Sequence, residues 1–570
     1  MKMTCMKILS RTIFVVNAVL FTANASSAEL PFAVKSGLYN QDMPDDLGLV
    51  KAQGTETITI FSPTESTDQF SNGVIMVGFK DSIYCQWQSS ATDEDAADTW
   101  VAYSASKDGK TWTAPRMLAA SLVDGYCSSG GWWVNGDTLV AYINTWPTSV
   151  SPRGGYTRYV TSTDGVNWTE PQNVKMENGD SLSGIFEQDP RALPGGRIIN
   201  AAHFQTGLIA NPIYTDDSSG IRGWVKASYT NVGVSGNISD EIEPSSYLRA
   251  DNTLVMIFRD QQSSFKKLAA VSTDNGETWA TAVKTQMPDA RTKQSAGNIA
   301  DSAVYMVGNP NDDKLRIPLV ITLSQDGKYF NTAYLLRAGG SDIQDLRFTG
   351  TAKRSGYHYP KTMIWKDTLY VSYATNKEDV ECTRVPLKSL VIDTSAGANP
   401  MLSVSEESIS VGYLAGSDTI KISTNIELNV GKSSSWINTS IPNDSMLVIK
   451  YSQNKTVDPR TDTVTISGPF VSTFKIAVEQ EGGTSIINPQ VENENSFAII
   501  NKLNKTIIVQ NNTLVNSAVI NIYNLKGQKV YEGKMTEAEL MIDLANQPAG
   551  TYILRAVTNE NTFNRLFLLE

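Results

Sequence analysis

Five near-copies of one short phrase punctuate this chain about every 55 residues, and no other feature limits its folding choices so much. The fullest copy is Ser-Thr-Asp-Asn-Gly-Glu-Thr-Trp at 272–279. Shorter copies lie at 106–112 and 162–168, and a fourth at 324–330 ends in Phe rather than Trp. A worn fifth keeps Thr215, Asp217, Gly220 and Trp224. Asp and Gly bend the chain, Ser and Asp side chains bond the turn's own backbone, and the aromatic tucks beneath it. A unit of this length cannot bury both its faces alone and must stack on its neighbours.

Short alternating strands lie between the phrases, among them Val74, Met76 and Gly78 against Ile75, Val77 and Phe79, and residues 253–258 and 368–373. No amphipathic helix of any length appears between them. Thr57–Phe61 also alternates, and a closed ring needs such a strand from one end of the chain to complete the last unit at 345–395. The fold class expected is all-β: a six-bladed β-propeller over 29–395, followed by two small β-sandwich domains at 400–482 and 487–570.

Residues 1–28 read as a signal peptide. Lys2, Lys7 and Arg11 precede an apolar run too short to span a bilayer, and small residues near Ala25 and Ala28 offer cleavage sites. No later apolar run is long enough for a transmembrane anchor. The net charge of −11 disfavours nucleic acid as a partner. With His203 and His358 the only histidines, a multi-histidine metal site is not expected, nor is a cofactor. Cys85, Cys127 and Cys382 read as small buried residues rather than a disulfide framework.

Propellers bind ligands at one mouth of the central channel. Aligning the strand after each unit's first turn places Gln88, Asn144, His203, Arg259 and Asn309 in one register, each a polar residue ending an apolar strand. This row marks a candidate mouth.

The repeated phrase resembles the Asp-box of the sialidase superfamily, whose fold is a β-propeller. The resemblance implies that the boxes are structural and carries roles onto matching residues. Glu243, before a strand ending in Arg259, matches that family's glutamate and one of its three substrate-binding arginines. Arg316, ahead of the strand entering the box at 324, matches another. Asp93, before the Asp98–Thr99 pair, matches the acid, and Tyr359 or Tyr357 the nucleophile, with Tyr359 preferred. Gln88 and His203 would line the same mouth. The resemblance implies a glycan substrate whose carboxylate the arginines clamp. The first arginine of the family's triad is missing, its place taken by residues 69–73, Gln-Phe-Ser-Asn-Gly.

Trp436, Asn454, residues 460–466 and residues 478–480 resemble the BACON module of secreted Bacteroidetes enzymes. Residues 520–527, Val530, Tyr531, Pro548, Gly550 and residues 552–554 resemble the sorting domain of type IX secretion, which implies the secretion machinery as a partner and a secreted or cell-surface location. The ending Phe-Leu-Leu-Glu departs from that family's basic terminus. Three functions stay open: an exo-acting glycoside hydrolase of sialidase type, a polysaccharide lyase on uronic-acid glycans with His203 as base, and a non-catalytic glycan-binding propeller.

Overall fold

The computed structural model describes residues 30–300, 302–395, 397–483, 497–501, 505–511, 517–559 and 562–569. The leader predicted at 1–28 and residues 484–496, where the second and third predicted domains join, lie outside them. The structure is all-β; among the described residues the helices are two single 3-10 turns, Gly340–Asp342 and Leu387–Ser389. The chain divides into two compact units. The larger holds the described residues up to Ile409 with Ser417–Lys450 and Asp462–Ala477; the smaller holds Ser410–Gly416, Tyr451–Thr461 and the described residues from Val478.

In the larger unit the repeat becomes a series of antiparallel sheets with their strands in chain order, save one strand from the start of the chain added to each of the last two. Each copy of the phrase follows the third strand of its sheet, at Ser106, Ser162, Thr215, Ser272 and Ser324. In the first, Ser106 Oγ accepts the Gly109 N–H at 2.9 Å, and Asp108 Oδ1 accepts the amides of Lys110 and Thr111 at 2.8 and 2.7 Å. The copies at 162, 272 and 324 bond the same way. The aromatic then packs between sheets: Trp279 sits among Ile199 and Ala201 of one sheet and Leu254, Met256 and Phe258 of the next.

Hydrogen bonds link each sheet to its successor. Trp132 Nε1 donates to the Ile75 carbonyl, Asn144 to that of Phe186, and the Glu243 amide to His203. The Ala296 amide donates to Ser245 Oγ, and Ser295 and Thr362 share a hydroxyl bond. Ser372 Oγ donates to the Val74 carbonyl, joining the last sheet to the first. Glu56–Phe61 adds to Asp379–Pro386 as the outer strand of that last sheet, where the alternation of Thr57–Phe61 predicts it. The sequence gives no warning of a second addition. Ala33–Val34 pairs parallel with Tyr329–Phe330, and Ala33 and Tyr329 then pack on Ile426.

In the smaller unit, Phe497–Asn501, Thr506–Asn511 and Glu539–Asp543 form one sheet, and Ala518–Asn524, Lys529–Met535, Gly550–Val557 and Thr562–Leu569 another. Alternating residues from both, including Ile507, Val509, Ile520, Ile522 and Leu554, are buried in one core.

Because Trp279 is only 6% exposed and bridges two sheets, Trp279→Ala should lower unfolding free energy by about 3–5 kcal/mol in chemical denaturation. A variant as stable as the parent would contradict the structural role of the box.

Candidate functional site

The innermost strands of four sheets break register near one end. The shifts fall between Asn72 and Ile75, Ser129 and Gly131, Ile242 and Ser245, and His358 and Lys361. A bulge of this kind re-aims a side chain that a regular ladder would hold against a neighbouring sheet. In the first two sheets glycine takes the left-handed backbone, Gly73 at φ +61° and Gly131 at +110°. In the other two the residues are Glu243 at φ +54° and Tyr359 at +55°. Each is followed by proline, which cannot donate to a ladder. Holding a non-glycine residue there costs roughly 1–3 kcal/mol, which the surrounding contacts must offset.

Gln88, Asn144 and Arg259 of the aligned register lie beside three of these breaks, and His203 holds the same position in a sheet outside these four. Gln88 pairs with Asn72, Asn144 with Ser128, His203 with Ile185 and Arg259 with Ile242. Arg259 reaches Glu243 Oε2 at 3.1 Å. Burial acts to raise the Glu243 pKa, but Arg259, Lys293 and Arg316 outweigh it, and the carboxyl titrates below its ordinary value. It is an ionised acceptor at neutral pH.

Tyr359 is partly buried under three cations: Arg316, Lys377 and Lys293 lie 5.0, 5.7 and 5.8 Å from its ring centre. Burial, then the Glu243 charge, pushes its hydroxyl up to about 12, against the pull of Arg316 and Arg259. It therefore stays protonated until a base takes the proton. Arg316 is 2% exposed and donates to His358 Nδ1 at 2.9 Å. Its Nε, like that of Arg259, has no acceptor among the described residues. Gly356 lets the chain pass here: a Cβ at its φ of +131° would lie 2.7 Å from Arg316 Cβ and 3.0 Å from its carbonyl oxygen.

A third guanidinium, absent from the sequence-based expectation, belongs to Arg354. It is exposed and shares the electrostatic surroundings of Arg316, Tyr359, Arg259 and Glu94; burial, then Arg316, lowers its pKa. No carboxylate pairs with it among the described residues. Only its position five residues before Tyr359 could have drawn attention to it. Lys293 and Glu187 were missed too. Lys293 Nζ bonds Glu187 Oε2, and Glu187 Oε1 lies 3.6 Å from His203 Nδ1.

Two expected residues sit elsewhere. Tyr357 is fully buried, donates to the Ala338 carbonyl at 2.6 Å and packs edge-on against Tyr373, so it does not face Glu243. In an unbroken strand it would share a face with Tyr359; the bulge between them separates the two. Asp93 accepts the Thr351 N–H. The carboxylate of its loop beside Tyr359 is Glu94, held at 2.7 Å by Lys377 and at 3.1 Å by Asn72. Asp95, 2.8 Å from Arg153, has a raised pKa because burial outweighs that neighbour. Gln88 is buried behind the first bulge, its Oε1 3.6 Å from where a Cβ on Gly73 would stand. His203 lines the floor, with Nε2 accepting the Glu243 amide at 3.0 Å. That lone pair is unavailable to a lyase substrate. Among the described residues, no three His, Cys, Asp or Glu side chains gather as metal ligands.

The model of the BNR repeat-like domain matches residues 81–371, just over half the chain. The chain belongs to the BNR repeat-like family. All five copies of the phrase, at 106, 162, 215, 272 and 324, fall inside the match. A secretion system C-terminal sorting domain matches residues 501–570 of this BNR repeat-like protein, which is therefore exported to the cell surface or secreted. Among the described residues no helix is long and apolar enough to cross a membrane. No curated relative matches in sequence. Similar solved structures include a protein of unknown function from Dyadobacter fermentans, 16% identical with TM-score 0.47, covering 59% of this chain and 99% of that one. A sialidase is 14% identical with TM-score 0.45, covering 94% and 48%. The intramolecular trans-sialidase of Ruminococcus gnavus, in complex with oseltamivir carboxylate, is 12% identical with TM-score 0.43, covering 61% and 100%.

The two tyrosines should separate by stability. Tyr357→Phe strands a buried carbonyl and should cost about 1–2 kcal/mol in denaturant unfolding. Tyr359→Phe should leave stability within about 0.5 kcal/mol. Equal losses would contradict the assignment of one tyrosine to the core and the other to the site.

Proposed function

We propose that this protein is a secreted exo-acting glycoside hydrolase of sialidase type, removing a terminal sugar that bears a carboxylate. The observation that carries the reading is the convergence of Arg259, Arg316 and Arg354 around Tyr359, two of them with an Nε that is unpaired among the described residues, beside the ionised Glu243. Forked guanidinium donors suit a planar carboxylate. Arg354 compensates for the arginine missing at 69–73.

In this reading Tyr359 attacks the anomeric carbon while its phenolic proton passes to Glu243. A neutral nucleophile avoids repulsion by the substrate's own carboxylate, and sialidases depart from the two-carboxylate scheme in this way. The glycosidic C–O bond breaks as the leaving oxygen takes a proton from the 92–98 loop. Asp93, which accepts the Thr351 amide, and Asp95, paired with Arg153, are the candidate acids of that loop. Water then cleaves the tyrosyl–sugar bond, Glu243 returns the proton to Tyr359, and the acid recovers its own from the water.

The domain reading accompanies this function. The sheets of 29–395 are a six-bladed propeller, 400–482 a BACON-like sandwich, and 487–570 the sorting domain, after a signal peptide at 1–28. Glycan and secretion machinery are its partners.

Incubation with an aryl α-sialoside and with mucin should release free sialic acid. Tyr359→Phe should lower kcat on the order of 10³-fold or more, and Arg354→Ala should raise KM about tenfold or more with a smaller change in kcat. A 4,5-unsaturated uronate product would favour a lyase instead, and binding without any product would favour a lectin-like propeller.

A further inference from the structure

Glu243 and Arg316, the proposed base and one carboxylate clamp, are each held by a histidine, and these are the only two histidines in the chain. The two imidazoles are bonded in opposite senses. His203 is 2% exposed, and its Nε2 accepts the backbone N–H of Glu243 at 3.0 Å. An amide nitrogen only donates, so Nε2 carries the lone pair and Nδ1 the proton, aimed at Glu187 Oε1 at 3.6 Å. His358 is fully buried. Its Nδ1 meets Arg316 at 2.9 Å and its Nε2 the Arg354 carbonyl at 2.9 Å. Guanidinium only donates and carbonyl only accepts, so here Nδ1 carries the lone pair and Nε2 the proton.

Each bond lands where the site needs constraint. Glu243 stands at φ +54°, and its two backbone groups are both tied down: the amide to His203 and the carbonyl to Gln294 Nε2 at 3.0 Å. Releasing the amide frees the strained residue to relax and its carboxylate to swing. His358 joins the Arg316 side chain to the backbone of Arg354, so a single ring sets the spacing of two clamps. Burial, then Arg316 and Lys377, drives the His358 pKa well below its ordinary value, in keeping with a neutral ring.

We infer that His203 and His358 are positioning residues of opposite tautomer, His203 fixing the base Glu243 and His358 fixing the carboxylate clamps Arg316 and Arg354. The inference rests on the functional reading above for its kinetic consequences, but the tautomers stand apart from it. The two roles predict different kinetic signatures. Misplacing a base costs turnover; misplacing clamps costs substrate binding. A displacement near 1 Å can cost about 10²-fold.

The test uses the full chain. Selective 15N-histidine labelling should show two neutral rings at pH 7, one protonated at Nδ1 and one at Nε2, with His203→Gln assigning the first. With an aryl α-sialoside, His203→Ala should lower kcat about 10–100-fold with KM within about threefold, and His358→Ala should raise KM about 10–100-fold with kcat within about threefold. Rescue should be position-specific. A Gln amide oxygen reaches the place of Nε2 and an Asn oxygen that of Nδ1, so His203→Gln and His358→Asn should recover most of the loss, and His203→Asn and His358→Gln should not. Wild-type kinetics in both alanine variants, rescue that ignores position, or two rings of the same tautomer would overturn the inference. A wild type that cleaves no sialoside would overturn the functional reading, while the nitrogen shifts still decide whether the two clasps exist.

Discussion

The innermost strand of each repeat sheet pairs on one edge and packs against a neighbouring sheet on its faces, so a regular ladder turns its side chains toward those neighbours. The site depends on breaking that ladder. Where the break falls, one residue must enter the left-handed backbone region, and glycine does so at least cost, as at Gly73 and Gly131. Glu243 and Tyr359 do so without that relief. Their strain is tolerated because neighbouring sheets hold them: His203 and Gln294 bond the Glu243 backbone, and three cations flank the Tyr359 ring. Ring closure is thus more than packing. His203 of the third unit holds the bulge at Glu243 in the fourth, and Arg316 of the fifth unit flanks the bulge at Tyr359 in the last.

Electrostatics follows from the same geometry. Cations outnumber carboxylates around Tyr359, where Arg259, Arg316, Arg354, Lys293 and Lys377 meet Glu243, Glu187 and Glu94. Glu187 is matched by Lys293, Glu94 by Lys377 and Glu243 by Arg259, which leaves Arg316 and Arg354 without an acidic partner among the described residues. Grouped guanidinium charges at a partly dehydrated site repel one another until an anion arrives. In the proposed function a substrate carboxylate would supply the missing charge, and the same positive field keeps Glu243 ionised.

The sequence made the sheets legible because the phrase is local: its hydrogen bonds join residues two to four apart, so its spacing survives as a pattern. The place of Thr57–Phe61 beside Asp379–Pro386 was legible from its alternation together with the need of a ring of repeats for a closing strand. The parallel pairing of Ala33–Val34 with Tyr329–Phe330 was not, since two residues carry no periodicity. At the site, the register row led to His203 and Arg259 because strand ends can be counted. Tyr357 and Tyr359 could not be separated by counting, because period-2 logic puts them on one face. The signal that separates them is the proline after Tyr359, a residue foreign to an inner strand; the same dipeptide logic marks Glu243–Pro244. Arg354 sits on a loop with no repeat equivalent, and Asp93, Glu94 and Asp95 differ only in which partner the folded loop offers each.

The central claim is that Tyr359 becomes covalently joined to a carboxylate-bearing sugar. A 3-fluoro-sialosyl fluoride tests it directly, because the ring fluorine slows both formation and hydrolysis of the intermediate while the good leaving group restores its formation alone, so the intermediate accumulates. Intact-mass measurement should show one added fluorosialosyl group per chain, and peptide mapping should place it on Tyr359. An unmodified chain, or an adduct on Glu243 or any other residue, would contradict this account.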